Sequence, residues 1–379
     1  MQLFKKVLII IFLVLFNKLI YSATISTKAK YAVVMDYNTG DILYSKKSNQ
    51  KIYPASMSKL MTLYILFEEL SEGSIDLESE FYVSKKAWKK GGSKMFLEVG
   101  SKVKVNDLLK GIIVQSGNDA CIVIAEGISG DEDTFAELMN LKAKEIGLEN
   151  SNFVNSTGWP DDNHYMTSLD LAILSKRIIK DFPEFFIMFK DKEFTFNSIK
   201  QFNRNPLLYS YQYSDGLKTG YTEISGFSLA ATAKKSNRRL IAILSGLDNV
   251  KERKEETIKV FDWAFRNFTN IKLFSKNDNV ISADVWLGKK AIIDLIVPED
   301  VLFTLDKKNY KKYEARVKYD NPIVAPIIKD NIYGKLIISD TIKGDIEYPL
   351  VAKESIKKAG IIKKISSAFS YLIFGGYAD

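Results

Sequence analysis

The chain has 379 residues, 46% hydrophobic and 26% charged, which sets an expectation of two or three domains with ample core material and excludes a disordered chain. One cysteine, Cys121, rules out an intramolecular disulfide and a cysteine-rich zinc site. One histidine, His164, rules out a three-histidine or HExxH metal centre and leaves a Ser-His-Asp triad only that single ring, so the expectation is a base from elsewhere, with no cofactor called for. The formal charge of +8 is a mild excess without the Lys/Arg block that nucleic-acid binding uses.

In chain order, residues 1–23 read as a secretory signal. Lys5 and Lys6 precede an unbroken apolar run from Val7 to Phe16, and small residues follow at Ser22 and Ala23. Ten apolar residues fall short of the roughly 20 a transmembrane helix needs. Tyr21 is bulky for a cleavage site, so an uncleaved anchor is the alternative. Removal of Lys5, Lys6 and Lys18 takes the charge from +8 to +5, and export argues against DNA or RNA as a partner. Tyr31–Ser45 is two alternating runs around Asn38-Thr39-Gly40, a hairpin. Helical patterns dominate from Ser56 to about Ile179, and strand signals return at Gly216–Thr222, Phe227–Ala233 and Leu240–Leu247. A charged helix, Val250–Phe268, places Val260, Phe261, Ala264 and Phe268 on its buried side. This order predicts an α/β (α+β) unit, residues 24–272, with helices packed on an antiparallel sheet.

Short β-type runs follow (Val280–Leu287, Ala291–Val297, Tyr313–Tyr319, Gly334–Ser339), predicting a small all-β domain over 273–354 with the boundary near 270–276. Residues 355–379 end the chain. At about 100° per residue, Ile361, Ile362, Ile365, Ala368, Phe369, Leu372 and Ile373 share one arc of roughly 140° within Ile356–Phe374. That pattern predicts an amphipathic helix lying on an anionic membrane surface. A terminal helix packed on its own domain is the competing reading.

Three short motifs carry the chemistry. Ser56-Met57-Ser58-Lys59 follows Pro54 at the start of an apolar-periodic run, which places Ser56 at a helix N-terminus with Lys59 one turn away on the same face. The pair is a hydroxyl nucleophile with an amine in reach, although Ser48…Lys51 and Ser355…Lys358 match the same spacing. An ordinary helix cap is the bland reading of Ser56. Ser116-Gly117-Asn118 is a polar turn between apolar stretches that could put a hydroxyl and an amide into a cleft. Asp215–Thr222 holds the only Lys-Thr-Gly of the chain. Lys218 and Thr219 could receive a carboxylate, and Gly220 permits close approach of another backbone in β-augmentation. A solvated lysine on an edge strand is the alternative there.

The order of the three motifs, with SxN 60 residues after SxxK and KTG 102 residues further on, resembles the penicilloyl-serine transferase superfamily. The stretches PASMSKLMT (54–62), MFLEVG (95–100), QSGNDAC (115–121), KEFTFNSIKQFNRNPLL (192–208) and DGLKTGYT (215–222) are similar to those of the low-molecular-weight D-alanyl-D-alanine carboxypeptidases. Some members carry histidine where Tyr221 stands. The resemblance implies an acyl-enzyme on Ser56, a neutral Lys59 as general base whose pKa is lowered by Lys218 and the helix N-terminus, and proton transfer to the leaving D-alanine through Ser116. It further implies substrate binding by Asn118, Lys218, Thr219, Gly220 and Tyr221. The oxyanion hole would be made by the N–H groups of Ser56 and Tyr221. Peptidoglycan stem peptides are the implied substrate and β-lactams the implied inhibitors. Arg253 matches a position that can assist carboxylate recognition, with a surface salt bridge as the alternative. His164 reads as hydrogen-bonded loop support and Cys121 as a buried filler. A β-lactamase, a DD-endopeptidase and a non-enzymatic wall-binding scaffold are the competing functions.

Overall fold

The computed structural model describes residues 25–308, 313–340 and 344–360. The expected signal and most of the expected C-terminal amphipathic helix lie outside these residues. Strands β1 (Tyr31–Asp36) and β2 (Ile42–Lys46) open the chain. Helices α1 (Lys59–Glu72), α2 (Asn118–Ser129), α3 (Glu132–Glu145) and α4 (Ser168–Asp181) follow. Strands β3 (Ser214–Thr222), β4 (Gly226–Lys235) and β5 (Arg238–Leu247) then precede α5 (Val250–Asn267). The strands form one antiparallel sheet in the order β2-β1-β5-β4-β3, so the returning strands rejoin the first hairpin.

Alternation along the strands splits this sheet between two cores. Val33, Met35, Leu217, Ala230, Ile241 and Ile243 face the core shared with α1 to α4. Ala32, Val34, Leu229, Ala231, Ala242 and Leu244 face Val260, Phe261 and Ala264 of α5. Burial on both faces is why these strands read as nearly continuous apolar runs. Helix α2 lies inside the first core, with Asn118 through Ala125 all buried, and its sequence is correspondingly apolar all round.

Beyond α5, Phe268–Phe274 pairs with Val301–Asp306, and a six-stranded sheet encloses a third core of Ala283, Ile293, Leu295, Leu336, Leu350 and Ile356. Two details differ from the expectation. Phe268, assigned to the buried side of the charged helix, opens this ribbon instead, because its backbone pairs with Asp306. Residues 356–360, at the head of the expected amphipathic helix, are extended: Ile356 bridges Ile327 and Lys358 bridges Gly288. Ile356 and Ala359 are buried by that docking. Backbone pairing with the β body outcompetes the helical pattern there. Among the described residues no helix is long and apolar enough to cross a membrane.

A loop between α3 and α4 packs against the turn that leads into α1. Asn152 bridges Tyr165, closing this loop, and its interior is held by side chains rather than by a ladder. Asn155 Oδ1 accepts from the N–H groups of Thr157, Gly158 and Trp159 at 3.1, 2.8 and 3.0 Å. Glu132, at the start of α3, accepts from Ser156 N–H and Oγ while its other oxygen pairs with Lys86 at 3.0 Å. Gly158 has φ +76°, and a Cβ there would lie 1.9 Å from the carbonyl oxygen of Ala55, so only glycine fits. His164 is buried; its Nδ1 accepts from Val154 N–H at 3.2 Å, which leaves the proton on Nε2 to reach Ser58 Oγ at 2.7 Å. Burial pushes its pKa down to about 4. The unfolded chain takes up this proton near pH 6.5 and the fold only near pH 4, so folding stability drains as pH falls through that window, by about 3 kcal/mol. Denaturant melts at pH 7, 5.5 and 4 should show this loss in the wild type, and His164→Gln, which cannot protonate, should lack that increment.

Candidate active site

The chain enters α1 from Pro54 through a single 3-10 turn, Ala55–Ser58. Ser56 lies inside that turn and makes no capping hydrogen bond, so the hydroxyl that sequence reading could have spent on a helix cap is available for other chemistry. Ala55 sits at φ +49°, a strained position for a residue with a Cβ. It is clamped between Gly158 on one side and Gly220 on the other, where a Cβ would lie 3.0 Å from Pro54 O. The close approach expected at Gly220 is thus made by the chain's own Pro54–Met57, which locks β3 against the turn that carries Ser56.

Lys59, the first residue of α1, is fully buried. Its Nζ lies 3.0 Å from Ser56 Oγ, 2.7 Å from Asn118 Oδ1 and 2.6 Å from the Thr157 carbonyl oxygen. A neutral amine has two N–H bonds and one lone pair. The amide and carbonyl oxygens, pure acceptors, take the N–H bonds and leave the lone pair for the serine hydroxyl. Burial lowers the Lys59 pKa to about 8, and Arg204 and Lys90 push the same way. Lys218, the expected cause, is not the main one. Lys218 is itself buried, and burial first, then Lys59, hold its pKa well below the ordinary lysine value.

Ser116 ends the buried turn Gly111–Gln115 at φ +65°, and its buried Oγ has no hydrogen-bond partner among the described residues. Asn118 opens α2; its Nδ2 donates to Gly91 O at 2.8 Å while Oδ1 holds Lys59. These groups, Thr219, Gly220 and Tyr221 line one cleft of about 1080 Å³ with Ser56. Tyr221 is half-exposed and its ring lies 4.3 Å from that of Phe227. Lys218 is no solvated edge lysine: it is buried, and the charges acting on it include Lys59, Arg204 and Arg253. Its Nζ lies 3.3 Å from Thr219 O.

Two residues need correction or addition. Arg253 is not in a surface salt bridge; it is buried, lines the cleft and pairs with no acidic side chain among the described residues. Burial draws its guanidinium down to about 10. Arg204 was not singled out by sequence reading, yet it lines the same cleft, donates to Ser93 Oγ at 2.5 Å and offers its carbonyl to Arg253 at 3.4 Å. No spacing rule marks it, since it follows an exposed hairpin (Glu193–Phe196 with Ile199–Phe202). The Thr157 carbonyl was missed for a simpler reason: a backbone acceptor has no side-chain signature. Cys121 is a buried filler, with burial raising its thiol to about 12. His164 stands behind the turn on Ser58 rather than in the cleft lining.

A hydroxyl beside a desolvated amine, in a cleft whose two guanidinium groups have no carboxylate partner among the described residues, suits acyl transfer from a substrate with a free carboxylate. Known proteins agree. The sequence profile of the D-alanyl-D-alanine carboxypeptidase family matches residues 18–249, and that of the penicillin-binding protein 5 C-terminal domain matches residues 268–358. The chain is 37% identical to D-alanyl-D-alanine carboxypeptidase DacF of Bacillus subtilis over 90% of its own length and 89% of that protein's. It is 36% identical to DacA of Haemophilus influenzae, with 89% and 87% covered. The structure of penicillin binding protein 5 from Haemophilus influenzae superposes with a TM-score of 0.83 at 35% identity, covering 88% of this chain and 99% of that one. Penicillin-Binding Protein D2 from Listeria monocytogenes, in its ampicillin bound form, matches 64% of this chain and 99% of its own at 26% identity and a TM-score of 0.59. The order of the SxxK, SxN and KTG motifs, their convergence in one cleft and these matches place the chain in the D-alanyl-D-alanine carboxypeptidase family.

Proposed function

We propose that the chain removes the terminal D-alanine from peptidoglycan pentapeptide stems by way of an acyl-enzyme on Ser56. Ser56 Oγ attacks the carbonyl carbon of the D-alanyl-D-alanine bond, and its proton passes to the lone pair of Lys59 Nζ. The N–H groups of Ser56 and Tyr221 receive the oxyanion, each such donor being worth roughly 3 kcal/mol in a preorganised site. Collapse breaks the C–N bond; the proton held by Lys59 reaches the leaving amine through Ser116, whose buried Oγ has no other partner among the described residues. Water then attacks the ester, with Lys59 again taking a proton, and frees Ser56. Asn118 and the backbone of β3 hold the peptide, while Lys218, Thr219, Arg253 and Arg204 hold its carboxylate. A β-lactam follows the same first step and stops at the acyl-enzyme. The single observation that carries the reading is Lys59 Nζ 3.0 Å from Ser56 Oγ with its other two contacts both acceptors.

Release of D-alanine from a pentapeptide tests this, with a mass spectrum after penicillin treatment locating the adduct. Ser56→Ala should abolish both release and adduct. Because only neutral Lys59 accepts the proton, the acylation rate should fall about tenfold per pH unit below about 8 and level off above it. Full activity in Ser56→Ala, an adduct elsewhere, or a flat profile from pH 6 to 9 overturns the assignment.

The reading extends to location. The site lies in the unit that ends with α5, the small β domain takes the chain from Phe268 to Ile356, and the apolar arc of 361–373 binds the outer face of the cytoplasmic membrane after export directed by residues 1–23. Ile356 belongs to the β core and Ala359 is buried, so the anchor is removed cleanly only after Gly360. A chain ending at Gly360 should leave the membrane fraction while keeping the wild-type rate of D-alanine release; retention on membranes refutes the anchor.

A further inference from the structure

The charged side chains lining the cleft are Arg204, Arg253 and Glu223. Glu223 is the lone acid among them, is exposed, and has no hydrogen-bond or ion-pair partner among the described residues. It sits at the tip between β3 and β4. That tip is pinned: Thr222 N–H donates to Ser225 Oγ at 3.0 Å, and Ser225 N–H donates back to Thr222 Oγ1 at 3.0 Å. Ile224, the chain neighbour of Glu223, and Trp159, whose ring has Lys90 Nζ 4.5 Å from its centroid, line the same cleft and are both exposed.

The direction of the substrate follows from the roles proposed above, on which this step rests. Its carboxylate lies toward Lys218 and Thr219, and its reacting carbonyl at Tyr221. A peptide pairing with β3 therefore runs antiparallel to it, and the residue preceding the D-alanine pair comes alongside Thr222 and Glu223, about 3.4 Å per residue further along. An apolar wall ending in a single carboxylate matches a long aliphatic side chain with a cationic head. We infer that Glu223 is a specificity-determining residue that binds the side-chain ammonium of the stem residue immediately before the D-alanyl-D-alanine pair, with Ile224 and Trp159 covering its methylene stem. The two arginines bind the opposite charge, so the cleft reads both ends of a zwitterionic substrate.

The test compares two peptides with the full chain: Nα-acetyl-L-lysyl-D-alanyl-D-alanine, with its side-chain amine free, and the same peptide with L-norleucine in place of lysine. The wild type should favour the lysine peptide by roughly three- to tenfold in kcat/KM, mostly through KM, with the preference shrinking in high salt. Glu223→Gln should bring the ratio to within about twofold of unity, and Glu223→Lys should invert it. Equal rates on both peptides in the wild type, or an unchanged preference in Glu223→Gln, overturn the assignment alone. Hydrolysis of neither peptide overturns it together with the carboxypeptidase reading beneath it.

Discussion

A lysine amine withdrawn from water is the constraint around which the rest of this structure is arranged. Every hydrogen-bond neighbour of Lys59 Nζ is an uncharged oxygen: a serine hydroxyl, an amide and a backbone carbonyl. A carboxylate in any of those places would stabilise the ammonium and keep the amine protonated. Without one, burial costs the charged form, and the amine becomes neutral at a pH far closer to 7 than a solvated lysine allows. In the proposed mechanism the nucleophile needs no histidine, because desolvation does for lysine what a low intrinsic pKa does for an imidazole.

Holding that geometry requires strain, and the surrounding structure supplies the restraint. Ala55 and Ser116 both occupy the left-handed region without being glycine, one on each side of the cleft. Gly158 and Gly220 press on the first from opposite elements, so the helix turn bearing Ser56 is wedged between a loop and the edge strand. The loop in turn hangs on Asn155, Glu132 and His164. Thr62 Oγ1 also donates to Ser156 O at 2.7 Å, tying the carbonyl next to Thr157 back onto α1. Positioning of Lys59 is therefore spread over this loop, β3 and α1 itself.

The β body is joined to this framework through polar contacts. Asp36, fully buried at the end of β1, accepts from Arg238 Nε at 2.7 Å and from Asn270 Nδ2 at 2.9 Å. Thr39 in the first hairpin turn meets Thr304 at 2.6 Å. A buried carboxylate with a guanidinium and an amide on it fixes the relative position of its partners more than it adds stability. The first hairpin, the last sheet strand and the ribbon that begins the β body thus meet at one residue.

The residues themselves announced much of this. Alternation and 3.6-residue periodicity are local properties, so the antiparallel sheet, the charged helix and most strands of the β body were legible in the chain. Ser56 with Lys59 is also local, because one helical turn sets their separation. Three other things were decided only by folding. Whether a lysine is solvated depends on what covers it, so the burial of Lys59 and Lys218, and with it the chemistry of Lys59, could not be read from spacing. Arg204 and the Thr157 carbonyl reach the cleft through long-range packing and carry no motif. The extended path of residues 356–360 came from single bridges to Ile327 and Gly288, some 30 and 70 residues earlier in the chain, a non-local gain that an amphipathic pattern does not register. Spacing along the backbone names the partners; exclusion of water by the tertiary structure determines what those partners do.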